Sequence, residues 1–412
     1  MTADTYHLRT AVPADWDEAH ALLTSVFSED GDDSDQVRAL WEPRRTLLAI
    51  RAGDPDGSAI AGVGAAYSRD LVVPGATVPA AHVTMVGVRP TDRRRGLLRR
   101  IMHRQLADVH AAGEPVAVLW ASEGRIYQRF GYGLATQRMD LTADHEVELT
   151  VPVGPDEGRL RAVPLAEAAD VLAKVYDQVY RDRPGWSGRD ATWWAYVLAD
   201  PPSQRQGATG RRVVVHEGPS GVDGYALWRV KPDWQVEGPH SEVLVREIVA
   251  ATPGGYRALM RFLLDVDLCR STRIGFAPVD TPLLFSVNEP RRLGARISDG
   301  LWLRVVDLPA ALAARRYAAP VTVTLAVADP LLPANSGTWA LSAGPGHARC
   351  TRTDAAPDLR LDIGALGAAY LGGASLGALA AAGRVAELVP GTLAAAGTAF
   401  GWHRAPSTTE TF

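Results

Sequence analysis

With 412 residues and 47% hydrophobic content, the chain is too long for one ordinary core, and two to three domains are expected. A formal net charge of −4 leaves no basic field, which excludes nucleic acid as a general partner. Cys269 and Cys350, the only two cysteines, lie far apart, which excludes a disulfide framework and a Cys-x-x-Cys metal centre; no metal is expected.

The opening MTADTYHLRT mixes charge and polarity where a secretory leader needs a basic cap and an apolar core. Nowhere do about 18 apolar residues run together, so a cytoplasmic protein without a membrane span is expected. YHLRTAV reads as a strand, and Pro13-Ala-Asp-Trp-Asp starts a helix with acidic residues in its first turn, continuing through Leu22, Leu23, Val26 and Phe27. Five carboxylates, Glu29, Asp30, Asp32, Asp33 and Asp35, then fall within residues 28–35. Acidic turns are commonly just solvated, but beside a reaction site such a loop raises the local concentration and on-rate of a cationic substrate. Residues 46–51, 59–68 and 75–88 read as strands, with turns at Asp54-Pro-Asp-Gly57 and Pro74-Gly75.

The stretch 81–133 organises the chain. A β-rich run ending at Val88 leads through Arg89-Pro90-Thr91-Asp92 into Arg93-Arg94-Arg95-Gly96. The apolar residues Leu97, Leu98, Ile101, Leu106 and Val109 then predict a helix over Leu97–Ala111. A helix start already carries about +0.5 of an elementary charge, so each added arginine costs roughly 0.3–1 kcal/mol unless an anion docks there. Free amides, with Gly96 allowing close backbone approach, make a phosphate-sized socket. A second strand over 115–120, then Ser122-Glu123-Gly124 and a turn from Tyr127 to Gly133, complete the segment.

Arg93-x-x-Gly96-x-Leu98 after a strand resembles the acetyl-CoA loop of GNAT N-acetyltransferases. The fuller RRRGLLR, followed by ASEGRIYQRFGYG and a final Phe412, resembles the Eis (enhanced intracellular survival) acetyltransferases, in which Leu at the position of Leu98 is usual. The resemblance implies acetyl-CoA as co-substrate. Val86, Gly87 and Val88 would meet pantetheine and the acetyl carbonyl, Arg94, Arg95, Gly96, Leu97, Leu98 and Arg99 would hold the pyrophosphate, and Ser122 and Glu123 would flank the far side. It further implies Phe27, Glu29 and Trp41 along the amine pocket, and a tail whose Phe412 α-carboxylate accepts a proton, with Glu410 joining the acidic wall. Tyr127 is the candidate proton donor to the departing thiolate, a phenol being of similar acidity to a thiol; Tyr132 is the nearby alternative.

From about Leu160 a second unit begins. Residues 166–180 and 193–198 read as helices, 212–216, 224–230 and 241–249 as strands, and 255–267 as an amphipathic helix. Its strand-to-helix junction, Ile248-Val-Ala-Ala-Thr-Pro-Gly-Gly255, has no arginine and loses an amide at Pro253, which predicts an acetyltransferase-like unit without a phosphate socket. Asp299-Gly-Leu-Trp-Leu-Arg304 resembles the Eis crossing segment into a sterol-carrier-like C-terminal domain, with strands at 321–328, 337–343 and 348–352 and helices at 309–317, 362–371 and 376–382. Gly373-Ala-Ser375-Leu-Gly377 matches a nucleophile elbow, but an Ala-rich helical run precedes it and His403 is the only histidine after it, so Ser375 reads as a helix cap.

The expected fold is therefore α/β with mixed sheets: tandem GNAT domains at 1–150 and 151–298 and a sterol-carrier-protein-like domain at 299–412. The expected function is acetyl transfer to amines of aminoglycoside-like polycations, with a homohexamer implied by the resemblance. The alternatives are a protein lysine acetyltransferase, and a lipid-binding protein with a vestigial acetyltransferase core.

Overall fold

The structure, a computed structural model, describes residues 6–28, 34–52, 59–151 and 158–412. It divides into two compact units, Met1–Ala135 with Leu301–His403 and Phe412, and Thr136–Gly300 with Arg404–Thr411.

The first unit is built on a seven-stranded sheet in the spatial order Tyr6–Thr10, Leu47–Arg51, Ile60–Val73, Ala76–Val88, Val116–Trp120, Leu301–Val305 and Gly133–Leu134. Its central strands carry apolar side chains on both faces because helices or the C-terminal domain cover each side. Alternation sorts them. Ala81, Val83, Ala117 and Leu119 pack with Met102 and Leu106 of the helix Leu97–Ala111, whereas Val78, Ala80, Val116 and Val118 face the core shared with the C-terminal strands and helices. That shared core is closed by backbone contact. A Cβ on Gly133 would sit 2.5 Å from the Ala368 nitrogen of the helix Ile363–Ala369, so glycine is what lets sheet and helix touch.

The C-terminal domain has a five-stranded sheet in the order Ala348–Arg352, Gly337–Ala343, Val321–Ala328, Leu359–Asp362 and Val385–Glu387. Three of its strands match the sequence reading. Ser375 accepts the Ala378 amide at 3.0 Å and Gly372 has φ +85°, so the elbow-like motif is a cap after a helix stop.

The second unit has a seven-stranded sheet in the order Arg296–Asp299, Gln137–Asp144, Cys269–Ala277, Ser241–Ala250, Gly221–Lys231, Arg212–Gly218 and Arg159–Val163. The strand Cys269–Ala277 is absent from the sequence reading, its charges masking an alternation in which Thr272 and Ile274 point inward and Arg273 outward. Thr252 caps its junction helix by accepting the Gly255 amide at 3.0 Å, and Pro253 occupies the first turn, in line with the expected lack of a phosphate socket.

Two boundaries shift from the sequence reading. Gln137–Asp144, assigned to the first domain, pairs with Cys269–Ala277 in the second sheet. Leu301–Val305, assigned to the third, is a strand of the first sheet, paired with Val116–Trp120 and Gly133–Leu134. The physical reason is that alternation identifies a strand but not its partner.

Candidate active site

In the first unit, the strands Ala76–Val88 and Val116–Trp120 pair in parallel from Ala80↔Val116 to Val83↔Leu119. Among the described residues no register pair continues beyond this, so Thr84–Val88 presents a strand edge without a partner on that side. At the same place Met85 has φ +51° and the register with Ile60–Val73 slips by one, a bulge that re-aims the peptide ahead of Val86.

The loop that follows is pinned from below. Asp92, buried, accepts the Tyr6 hydroxyl at 2.5 Å and the Arg51 guanidinium at 2.7 Å. Burial alone would raise its pKa, but the hydrogen bonds from Tyr6 and Arg51 outweigh that and hold it below the usual carboxylate value. With this turn fixed, Arg93, Arg94 and Arg95 stand in solvent, and Gly96, at φ +79°, opens the helix Leu97–Ala111 with no side chain capping its first amides. A Cβ at Gly96 would meet nothing within 4 Å, so the approach to those amides is open. The helix start, Arg93, Arg94 and the unpaired strand edge line one groove of about 900 Å³. A diphosphate joined to an extended amide chain fits such a groove, the anion at the helix start and the chain along the strand edge.

Of the residues expected at a cofactor, Val86, Gly87, Val88, Arg94, Gly96, Leu97, Leu98, Arg99, Ser122 and Glu123 line this groove, as do Tyr127 and Phe27, while Arg95 does not. Tyr127 ends the short helix Gly124–Tyr127, whose Gly124 lies so close to Trp302 that a Cβ would be 2.9 Å from its ring. Its hydroxyl-bearing ring is 6% exposed and packs edge-on against Tyr132 at 5.9 Å, and burial pushes its pKa up to about 12. This differs from the expected match with a thiol: full proton transfer to a thiolate of reference pKa about 8.5 is uphill by roughly 5 kcal/mol. Tyr132 is wholly buried, its pKa also raised by burial, and does not line the groove, which fits a packing role.

Phe412 lies on the other side of the sheet. Its ring is 4.7 Å from that of His82, tilted by 59°, and packs against the core that contains Val118. Trp41 packs against Trp16, ring centroids 5.2 Å apart and tilted by 52°, and does not line the groove. Glu410 belongs to the second unit, where it is buried and accepts from Arg189 at 3.0 Å; Arg189 also binds Glu247 at 2.6 Å. Glu410 therefore shares one guanidinium, 221 residues away in the chain, with Glu247; the sequence reading, which placed Glu410 in an acidic wall, did not include this partner. Glu29 lies outside the described residues, as do Asp30, Asp32 and Asp33; Asp35 is exposed in the helix Ser34–Leu40.

Sequence reasoning missed Pro330 and Leu331 of the C-terminal domain, which also line the groove. They are set by Asp329, which receives the Arg304 guanidinium at 2.7 and 2.8 Å and the amides of Leu331 and Leu332 at 3.1 Å. Nothing local in the string Asp329-Pro330-Leu331 announces this, because the partner is on a distant strand. Among the described residues no helix is long and apolar enough to cross a membrane.

Comparison with known proteins agrees with this geometry. An acetyltransferase (GNAT) domain model matches residues 7–135, a second GNAT model matches 185–305, and a sterol carrier protein domain model matches 308–409. The chain is 42% identical to an uncharacterized N-acetyltransferase of Streptomyces avermitilis over 98% of both chains, and 35% identical to N-acetyltransferase Eis of Mycobacterium tuberculosis over 90% of both. Among solved structures, Eis1 from Mycobacterium abscessus superposes with a TM-score of 0.83 at 33% identity, over 98% of this chain and 100% of that one. A GCN5-related N-acetyltransferase from Anabaena variabilis, at 20% identity and a TM-score of 0.84 over 99% and 100% of the two chains, shares the fold. The chain is an N-acetyltransferase and belongs to the Eis family of tandem-GNAT enzymes.

Proposed function

We propose that this enzyme transfers the acetyl group of acetyl-CoA directly to a primary amine of a polycationic, aminoglycoside-like small molecule, at one or more positions. The observation that carries the reading is the parting of the two parallel strands after Val83 and Leu119, with the arginine-lined groove and Tyr127 on one face of the sheet and Phe412 on the other. A thioester lying along the strand edge from the groove side would meet an amine arriving from the Phe412 side. The nitrogen attacks the carbonyl carbon, the C–S bond breaks, and backbone N–H groups near Val86 face the oxygen on which charge develops. The Tyr127 phenol, protonated at every pH below about 12, donates a hydrogen bond to the departing sulfur. The ammonium proton goes to the α-carboxylate of Phe412. Taking it from a ground-state ammonium is uphill by roughly 9 kcal/mol, from pKa values of about 10.4 and 3.5, so the proton leaves after attack, when the nitrogen is far more acidic.

Preference for a polycation is supported by the acidic composition of residues 28–35. Thiol release from acetyl-CoA, measured against kanamycin, spermine and a lysine-containing peptide, is expected to be faster for the more highly charged small amines and to slow with added salt. Release that is equal for all three, and indifferent to salt, removes the polycation; no release with any amine removes acetyl transfer to amines. A hexameric assembly, carried by the family resemblance, is part of the same proposal and is read by sedimentation velocity. The lipid-carrier alternative is disfavoured because Leu325, Trp339, Leu341, Leu359 and Leu366 of the C-terminal domain are buried in a core continuous with the first sheet.

Tyr127→Phe keeps the ring and its packing and removes the donor. It is expected to lower kcat by about 10²-fold with acetyl-CoA affinity unchanged. The alkaline limb of the wild-type pH profile should not belong to Tyr127, because its raised pKa keeps the proton on through the assay range and releases it only near pH 12. A Tyr127→Phe enzyme with wild-type kcat assigns sulfur protonation to solvent.

A further inference from the structure

The second unit repeats the parting of parallel strands without the arginine-rich loop. Ser241–Ala250 and Cys269–Ala277 pair from Ser241↔Cys269 to Val245↔Ile274, and among the described residues no register pair continues beyond this. Phe276, at φ +57°, sits where the ladder of its strand with Gln137–Asp144 is also irregular, so the chain bends there. Residues 246–250 therefore present an edge on this side, while Gly221–Lys231 holds the other. That edge is one wall of a cavity of about 700 Å³, all of whose lining residues belong to the second unit. The volume suits a small molecule.

The wall offers three kinds of contact. Along the edge, backbone N–H and C=O groups can pair with an extended amide chain as they would with an added strand. Ile248, Tyr256 and Ile274 supply apolar surface, and Phe285 adds an aromatic ring that is 84% exposed. The charged groups sort by sign. Arg246 and Ile248 share one face of their strand, and the Glu247 side chain turns to the other, where Arg189 and the Tyr225 hydroxyl hold it at 2.6 and 2.5 Å. Asp280 accepts from Arg183 at 2.8 Å. Arg246 gives an N–H to the Thr409 carbonyl at 3.1 Å and lies over the Phe276 ring at 5.2 Å, which leaves donors of its five for an anion. Arg404 is exposed on the same cavity, and among the described residues neither Arg246 nor Arg404 is ion-paired with a carboxylate. The helix Pro253–Leu264 adds no diphosphate socket, because Pro253 lacks an amide hydrogen and the Thr252 hydroxyl takes the Gly255 amide.

We propose that this cavity binds a small carboxylate carried on an amide chain with apolar side chains, of which an N-acylated dipeptide is the simplest form. Its amides lie along residues 246–250, its side chains against Ile248 and Tyr256, and its carboxylate at Arg246 and Arg404. The site shares no lining residue with the acetyl-CoA groove and does not depend on the acetyl-transfer reading.

Titration calorimetry of the full chain with N-acetyl-leucyl-phenylalanine and with its C-terminal amide tests this. The acid is expected to bind roughly tenfold or more tightly than the amide, the difference made by one charge-assisted contact. Its affinity should fall with added salt and stay the same when acetyl-CoA is saturating. Arg246→Gln should remove the advantage of the acid over the amide and leave the acetyl-CoA Kd at the wild-type value. Arg404→Gln, at an exposed side chain, should also weaken the acid and serves if the first variant does not fold. Acid that acetyl-CoA displaces is bound in the groove of the first unit, which overturns the proposal. It is equally overturned by an acid bound no better than its amide, by an acid bound alike by wild type and both variants, or by no heat with either probe at millimolar concentration.

Discussion

Asp329→Ala is expected to lower the unfolding free energy of the first unit by about 3–5 kcal/mol, the usual cost of removing one partner of a buried ion pair. The side chains of Arg304 and Asp329 are both fully buried and joined at 2.7 and 2.8 Å. Without the carboxylate the guanidinium keeps the carbonyl oxygen of Val305 at 2.8 Å, with no counter-charge supplied by this pair. The Asn335 side chain and the amides of Leu331 and Leu332 lose an acceptor at the same time. A thermal midpoint lower by at least about 6 °C should accompany the change. Because Pro330 and Leu331 line the groove, acetyl-CoA affinity should weaken as well. Replacing both charges, as in Arg304→Met with Asp329→Leu, should recover most of the stability, since it leaves no buried charge unpaired. If Asp329→Ala melts like wild type, the pair does not anchor the C-terminal domain to the first sheet.

Adding one glycine after Phe412 should lower kcat by about 10²–10⁴-fold, the range of a general base, while leaving the acetyl-CoA Kd unchanged, because Phe412 is not a lining residue of the groove. The extension converts the α-carboxylate into a neutral amide at the position the ring contact with His82 fixes, and moves the charge one residue further on. Single-turnover rates with a saturating amine separate this from slow product release. A glycine-extended enzyme of full activity shows that the carboxylate of Phe412 takes no part in the proton's path.

Much of the groove was legible in the sequence because its parts are local. The helix Leu97–Ala111 follows from its apolar spacing and from Gly96, and the arginines before it point to an anion for an electrostatic reason that needs no tertiary information. The strands Val321–Ala328, Gly337–Ala343 and Ala348–Arg352 show the same legibility, since alternation and turn residues bound each of them. Glu410 shows the limit. Its acidity is visible in the sequence, but its partner Arg189, which also binds Glu247, comes from elsewhere in the chain, so whether it faces a substrate or a guanidinium is not a local property.

What the sequence determined by itself was the kind of each element and the charge it carries, because periodicity and helix-end chemistry act over a few residues. Which sheet each strand joins was decided only in three dimensions. Gln137–Asp144 and Leu301–Val305 are both good strands, yet they lie in different sheets from the neighbours that their sequence positions suggest. The parting of the strands after Val83 and Leu119, and the nearness of Phe412 to His82, are likewise tertiary, since each depends on segments far apart in the chain meeting in register.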